Sequence, residues 1–255
     1  MGYEILACQK GDGLYPKRFV ERNGLPEKFF YKGDISFLND LRAVAVIGSR
    51  NAPKDAILNS YMSGQYAAME GFAVVNGLAV GCDTAALRGA LSEGGRCVAV
   101  LPCGLDMIVP SVNEYLAQEI LEKGGCLISE YAEGAEPERF MYVQRDRLQS
   151  GLSEIVLVVH CAEVESRSDS FMSDLTSKSD AAAMRNRKDS GSLKTADFAR
   201  KQVVKVLRYQ KAEKKEGDLL PYAKTLADPE AFRAFLKNYK PGEAIVYEQM
   251  KLPFL

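Results

Sequence analysis

Long apolar runs and targeting signals are both missing from this sequence of 255 residues. No run reaches the roughly 18 apolar residues of a membrane-spanning helix, so we expect no membrane segment. The start, MGYEILACQKGDG, lacks the basic and apolar regions of a signal peptide. It also lacks the Ser or Thr that myristoylation requires at position 6. These absences predict a cytoplasmic protein without a lipid anchor.

An excess of charge is missing as well. The 33 basic and 34 acidic side chains give a formal net charge of −1. This balance excludes a globally basic nucleic-acid coat, but a local basic patch needs only a few clustered arginines and lysines. The hydrophobic fraction of 47% is ordinary for a globular protein.

Metal-binding spacing is absent. None of the six cysteines forms a CxxC pair, and the single histidine is His160. We therefore expect no metal site, and we expect the cysteines to be buried, reduced thiols. His160 follows the apolar run IVLVV, which places it at a strand end without a nucleophile motif to assist.

The common cofactor motifs are also absent. The glycine-rich segment NGLAVGCD (76–83) is not GxGxxG, and no acidic residue follows at the distance that holds a ribose. GxxxxGK[ST] does not occur either. These observations disfavour a nicotinamide cofactor and a P-loop ATPase, and we predict no cofactor.

Short continuous apolar runs alternate with helical patterns from residue 43 onward. Strands are predicted at 43–48, 72–77, 97–104, 126–130, 154–159 and 203–207. Helices are predicted at 54–70, 84–93 (with Asp83 as N-cap), 114–123 (with Asn113 as cap) and near 228–238. Buried strands alternating with helices indicate an α/β fold, with a parallel sheet covered by helices on both faces.

Composition shifts suggest the domain organisation. Residues 1–40 form an N-terminal extension, 41–210 the α/β domain, and 211–255 a linker with a short C-terminal tail. Within the domain, 163–188 is rich in serine and charge and resembles an exposed insertion.

The strand ends carry the candidate binding residues, because ligands of open α/β sheets bind outside the carboxyl ends of the strands. Arg50 offers a planar group suited to phosphate, and glycines allow close backbone approach. A tight turn with a surface arginine explains GSR equally well. The candidates here are Gly48, Ser49, Arg50, Asn51, Gly77, Gly81, Asp83 and Gly104.

Two further segments fit a nucleic acid. Arg139, Arg145 and Arg147 flank Phe140 and Tyr142, and cations interleaved with aromatic rings suit a single strand. A solvated loop is the alternative. The second segment, Ser190, Gly191 and Ser192, is predicted to lead into a helix, and the hydroxyls and first N–H groups of that helix fit the same cleft. A simple capped helix start explains the segment equally well.

Eight motifs in order resemble the DNA-processing protein A family, also called Smf. They are YPKRF (15–19), FYKG (30–33), VAVIGSR (44–50), VVNGLAVGCDTAALRGAL (74–91), VAVLPCGLD (98–106), ISEY (128–131), RDRLQSGLSEIVLVV (145–159) and SGSLKTA (190–196).

The resemblance implies an extended Rossmann-like fold that binds single-stranded DNA, dimerises and is not an enzyme. It also implies a role in DNA uptake during transformation and in recombination, with a RecA-type recombinase as partner. The family's DNA-contacting arginines correspond to Arg50, Arg145 and Arg147, and Arg139 is added from the residue pattern.

The sequence departs from the family pattern at several positions. Asp146 replaces an Asn and puts a carboxylate near the expected phosphate site, while Leu87 replaces a His and Val109 a Tyr. The insertion at 163–188 is unusual, no Pro-Gly follows Leu207, and we expect no room for a C-terminal winged helix. Weakened DNA binding is therefore expected.

Two alternatives stay open. Nucleotide phosphoribohydrolases of the lysine-decarboxylase-like group share the architecture, although their ProGlyGly-x-GlyThr loop is missing here. Glu130 would be the acid or base of such an enzyme. A module binding small nucleotides at the same edge is the other alternative, since fold alone does not decide function.

Overall fold

The computed structural model of the chain describes residues 2–161, 191–209, 220 and 223–241. The predicted insertion at 163–188, the stretch at 211–218 and Ser190 lie outside these residues. The strands are β1 (Leu6–Gln9), β2 (Lys28–Gly33), β3 (Arg42–Gly48), β4 (Phe72–Asn76), β5 (Cys97–Val100), β6 (Cys126–Ser129), β7 (Ile155–His160), β8 (Lys205–Tyr209) and β9 (Lys224–Leu226). The helices are α1 (Lys17–Glu21), α2 (Lys54–Met69), α3 (Cys82–Ser92), α4 (Glu114–Glu122), α5 (Arg139–Leu152), α6 (Gly191–Lys201) and α7 (Pro229–Lys237). None of the helices in these ranges is long and apolar enough to cross a membrane.

The strands form one sheet in the order β1-β2-β6-β5-β4-β3-β7-β8-β9. The seven strands from β6 to β9 in this order are parallel, whereas β2 pairs antiparallel with β6 and β1 antiparallel with β2. Strands β3, β4, β5 and β6 follow one another across the sheet in one direction, and the chain then returns to place β7 on the other side of β3. This reversal between β3 and β7 is a topological switch point, where open α/β sheets bind their ligands.

Helices cover both faces of the sheet, as predicted. Along β3, Val44 and Val46 pack in a core that includes α2, α3, α4 and α7. The alternate residues Ala45 and Ile47 pack on the opposite face against α6, and α1 and α5 lie on that side further along the sheet. Side chains alternate across a strand, so β3 is buried on both faces and its sequence is continuously apolar.

The first forty residues contribute more to the sheet than a simple extension does. Lys28–Gly33 forms β2, which pairs with β6 in a register that sets Phe30 opposite Ser129. Cys8, Phe19 and Phe29 are buried in the core beneath α5. The N-terminal segment therefore supports one face of the parallel sheet.

One local prediction was wrong, and one alternative interpretation is excluded. Asp83 is not the N-cap of α3, because the helix starts at Cys82 with Gly81 before it. Gly81 has φ +84°, which a glycine adopts without strain, and this lets the helix begin earlier. The 139–147 segment is not a solvated loop but the first part of α5. Asn113 does precede α4, but its side chain makes no capping hydrogen bond.

Candidate functional site

A small recess lies at the switch point, beside the carboxyl end of β3. Its volume is about 40 Å³, the space of a few water molecules. The wall comes from Ile47, Gly48 and Arg50 after β3, Ala79 and Asp83 around the start of α3, Arg145, Asp146 and Gln149 on α5, and Gly191, Ser192 and Thr195 at the start of α6. Five of the predicted glycines, hydroxyls and arginines therefore meet here, namely Gly48, Arg50, Arg145, Gly191 and Ser192, together with Asp83.

Arg50 stands exposed at the mouth of the recess. Its guanidinium carbon lies 5.7 Å from the ring centroid of Tyr142 on α5, a cation–π distance. Burial raises the pKa of Tyr142, and the charge of Arg50 opposes that rise. Tyr142 thus stays a neutral ring that supports an otherwise solvated cation.

Backbone hydrogen bonds of Ser49 fix the loop that carries Arg50. Ser49 is buried, its N–H donates to the carbonyl of His160 at 3.2 Å, and its own carbonyl accepts from Cys82 N–H at 3.3 Å. A Cβ at position 81 would meet Ser49 O at 2.6 Å, so only glycine allows α3 to start this close to the loop. The hydroxyl of Ser49 has no hydrogen-bond partner among the described residues.

Arg145 is buried in the wall, with 7% of its surface exposed. One Nη1–H donates to Val100 O at the end of β5, at 3.4 Å, and Nε lies 3.4 Å from Asp146 Oδ1. That second contact has ion-pair distance but not hydrogen-bond geometry, since Nε has no hydrogen-bond partner in the described part of the chain. A Cβ at position 77 would overlap the guanidinium, so Gly77 provides the space that Arg145 occupies.

Asp83 holds the loop around Arg145. Its Oδ2 accepts from Gly77 N–H at 3.0 Å, and its carbonyl accepts from Asn76 Nδ2 at 2.9 Å. The carboxylate is buried and also lines the recess. Asp83 and Gly77 therefore shape the site by positioning the backbone next to the arginine.

The charges lining the recess balance. Two arginines, Arg50 and Arg145, face two aspartates, Asp83 and Asp146. Gln149 Nε2 donates to Asp146 Oδ1 at 2.9 Å and fixes that carboxylate. The positive end of the α6 dipole lies at Gly191 and adds a fraction of a charge. Because Arg145 is buried beside Asp146, Arg50 is the cation that an anionic ligand meets first.

Arg147 lies outside the recess, contrary to its grouping with Arg145. Its Nη1 donates to Gly24 O at 2.6 Å, and its Nη2 forms an ion pair with Oε1 of the largely buried Glu130. Burial raises the pKa of Glu130, and the charge of Arg147 opposes the rise. The pair ties α5 to the end of β6 and to the N-terminal segment.

The remaining predicted residues are not part of the recess wall. Arg139 is exposed at the start of α5, and Asn51 is exposed after Arg50. Gly104 packs tightly under the next loop, where a Cβ would meet Ala132 O at 2.6 Å. Ser190 falls beyond the residues that the structure describes.

Sequence reasoning missed Gln149 and Thr195 as wall residues. Gln149 follows Arg145 by four positions, so recognising 139–152 as a helix puts both on one face. Thr195 relates to Gly191 in the same way on α6. Across the ranges described, no cluster of three or more His, Cys, Asp or Glu is placed to hold a metal ion.

Together the fold and the recess define a Rossmann-like α/β protein with arginines and a helix start at its switch point. Residues 7–173 match the model of the DNA recombination-mediator protein A family, and the chain belongs to that family. The predicted resemblance is confirmed.

Relatives with curated sequences include DNA processing protein DprA of Streptococcus pneumoniae, 36% identical over 161 residues, which cover 63% of this chain and 55% of that one. Protein Smf of Escherichia coli is 34% identical over 149 residues, covering 58% of this chain and 40% of that one. The chain spans about half the length of the curated relatives it matches.

Solved structures agree on the fold. The X-ray structure of S. pneumoniae DprA aligns with a TM-score of 0.70 at 26% identity, over 93% of this chain and 75% of that one. A Helicobacter pylori DprA structure, described for its single-stranded DNA binding mode, aligns with a TM-score of 0.72 at 24% identity, over 93% and 98%. The Rossmann-like architecture predicted from the sequence is confirmed.

Proposed function

We propose that this protein binds single-stranded DNA at the switch-point recess, as a DNA-processing protein in transformation and recombination. One observation carries the proposal: exposed Arg50 stands at the mouth of a recess walled by buried Arg145 and by the start of α6. The binding mode described for the H. pylori relative supports single-stranded DNA as the ligand.

The residues have different roles in this proposal. Arg50 contacts a phosphate directly, Gly48 and Ser192 line the approach to it, and buried Ser49 holds the loop that carries Arg50. Arg145, Gly77 and Asp83 hold the shape of the wall. Arg139 is free to meet a neighbouring phosphate from the exposed end of α5. Arg147 is neutralised by Glu130, so we now assign it a structural role.

Fluorescence anisotropy of labelled oligo-dT over a range of salt concentrations tests the proposal. Each phosphate contact contributes about −0.7 to the slope of log affinity against log salt. We expect Arg50→Ala to weaken binding and to make this slope shallower by about one contact. Arg50→Lys keeps the positive charge but lacks the planar guanidinium, so its affinity should lie between those of the wild type and Arg50→Ala.

Lys123→Ala is the matched control. It also removes one positive charge, but Lys123 lies at the end of α4, at the opposite edge of the sheet. Its affinity and slope should equal those of the wild type. If Arg50→Ala and Lys123→Ala weaken binding equally, or if neither weakens it, the recess is not the binding site.

The enzyme alternative has less support. Glu130, its nominated acid or base, is paired with Arg147 and does not line the recess. A recess of about 40 Å³ is also far smaller than the several hundred Å³ of a typical pocket for a small molecule. We therefore propose a non-enzymatic role, and release of free base from a nucleoside monophosphate would contradict it.

Homodimerisation, a RecA-type recombinase partner and a cytoplasmic location stay predictions. Light scattering of the purified protein tests the first, and co-purification with a recombinase on oligo-dT tests the second. A monomer at all concentrations contradicts the dimer without affecting the DNA-binding proposal.

A further inference from the structure

Three exposed apolar side chains lie on segments that border the recess loop. They are Val80, Val112 and Tyr115, with 37%, 70% and 91% of their surfaces exposed. Single exposed apolar side chains are common on proteins, but Tyr115 is almost fully exposed and follows the exposed Val112 by three positions. We call these three residues the Tyr115 patch.

The topology places the Tyr115 patch at the same edge of the sheet as the recess. α4 follows β5 and returns to the start of β6, so its first residues lie at the carboxyl edge. Tyr115 is the second residue of α4, and Val112 belongs to the short 3₁₀ turn just before it. Val80 directly follows Ala79, which lines the recess.

Asn113 joins the two surfaces. This buried side chain donates to Leu78 O at 2.7 Å and to Thr84 Oγ1 at 2.8 Å, across the loop that forms one recess wall. Tyr115 is two residues from Asn113, and Ala79 is one from Leu78. With about 3.8 Å between successive Cα atoms, the tyrosine lies within roughly 20 Å of the wall. A strand of a few nucleotides can touch both.

We propose that the Tyr115 patch stacks the bases of the DNA strand whose phosphate meets Arg50. This inference rests on the proposed function. Aromatic rings stack on every base, and one stacked base changes affinity about fivefold to 150-fold. Arg88, exposed one turn after Thr84, is a further cation on the neighbouring helix α3, whereas exposed Glu114 directly precedes Tyr115 and disfavours a phosphate next to the ring.

A protein partner fits this surface less well. Stable protein interfaces bury about 800 Å² on each side, far more than three side chains offer. A flat aromatic face next to a phosphate site is typical of single-stranded nucleic-acid binding, in which phosphates and bases are contacted separately.

The chain contains no tryptophan, so Tyr115→Trp creates a single fluorescent reporter at the patch. We expect oligo-dT to quench its emission, while an abasic oligonucleotide of equal length does not. Met69→Trp is the control. Met69 is 46% exposed at the end of α2, at the opposite edge of the sheet, and its reporter should not respond.

Affinity measurements complete the test. Tyr115→Ala should weaken oligo-dT binding at least fivefold and leave both abasic binding and the salt slope unchanged, whereas Tyr115→Phe should retain wild-type binding. The inference is refuted if Tyr115→Ala weakens the binding of both oligonucleotides equally or of neither. It is also refuted if the protein self-associates and Tyr115→Ala abolishes that self-association.

The inference and the proposed function fail separately. If Arg50→Ala loses binding while Tyr115→Ala binds normally, stacking at the patch is refuted and the recess proposal stands. If the wild-type protein does not bind oligo-dT even at low salt, the proposed function itself is refuted.

Discussion

Gly77→Ala isolates the contact that shapes the recess. The backbone at Gly77 lies outside the left-handed region, so alanine is allowed there in principle. Its Cβ, however, would overlap three atoms of the Arg145 guanidinium, the end of a flexible side chain. Arg145 must therefore move, and it loses the hydrogen bond to Val100 O and the contact with Asp146.

The expected cost follows from these losses. A hydrogen bond to a charged group contributes about 1.5–3 kcal/mol, and overpacking a filled site costs about 1–3 kcal/mol. Since the side chain relaxes to escape the overlap, the two do not add fully. We expect Gly77→Ala to lower the free energy of unfolding by about 2–4 kcal/mol in urea titrations. Gly13→Ala, where a Cβ meets nothing within 4 Å, should change it by less than about 0.5 kcal/mol.

A double-mutant cycle tests whether the overlap with the Arg145 guanidinium causes this loss of stability. In an Arg145→Ala background the overlap is gone, so adding Gly77→Ala should cost less than about 0.5 kcal/mol. The two changes should therefore be coupled by more than about 1.5 kcal/mol. If their effects simply add, or if Gly77→Ala alone is as stable as the wild type, the packing argument is refuted.

Three further predictions concern stability. Arg22 donates to the carbonyls at the end of α5, and its burial lowers its pKa to about 10. Arg22→Ala should therefore lower the free energy of unfolding by about 2–4 kcal/mol, and the stability of Arg22→Lys should lie between those of Arg22→Ala and the wild type. Equal stability of all three proteins contradicts this prediction. All six cysteines are buried, and burial raises the pKa of Cys103 to about 11. Thiol reagents at pH 8 should therefore label the cysteines only as urea unfolds the protein. A thiol that reacts at once in the native protein contradicts this prediction. The Ser36 hydroxyl, its N–H and Arg96 lower the pKa of Asp34, so its stabilising effect is complete above its usual pKa near 4 and is lost as the pH falls through the lowered value. Asp34→Asn should reduce the difference in urea midpoint between pH 7 and pH 3, and an unchanged difference refutes the assignment.

The parallel centre of the sheet was predictable because its strands are buried on both faces. Continuous apolar runs such as 43–48 and 72–77 have no other ordinary explanation in a chain of this kind. The convergence of 48–50 with 79–83 then follows from the parallel arrangement alone. Once strands and helices alternate, the edge that carries the ligand site is determined.

The missed helix α5 shows where periodicity fails. Its buried face includes the polar side chains Arg145, Asp146 and Gln149, which contact one another and, through Arg145, the carbonyl of Val100. A hydrophobic pattern cannot report such a face. The polar residues that line the recess are therefore the same ones that keep a hydrophobic pattern from revealing α5.

Long-range pairing decides the contacts of Arg147 and of the N-terminal strands. Arg147 and Arg145 are the same residue type two positions apart, yet only Arg147 reaches Glu130 at the end of β6. β2 joins the sheet through a partner strand about a hundred residues away. Sequence spacing contains no signal for either contact.

The assembly of the recess from distant segments has a consequence for how the chain folds. Its wall needs residues near 48, 80, 146 and 192, and the end of α5 needs Arg22. Contacts between such distant segments form late, because long loops must close before they contribute. A strand of DNA bound there would favour only fully folded molecules and would raise their population by mass action. Binding activity therefore reports on the complete assembly of these segments, whereas helix content reports on each helix separately.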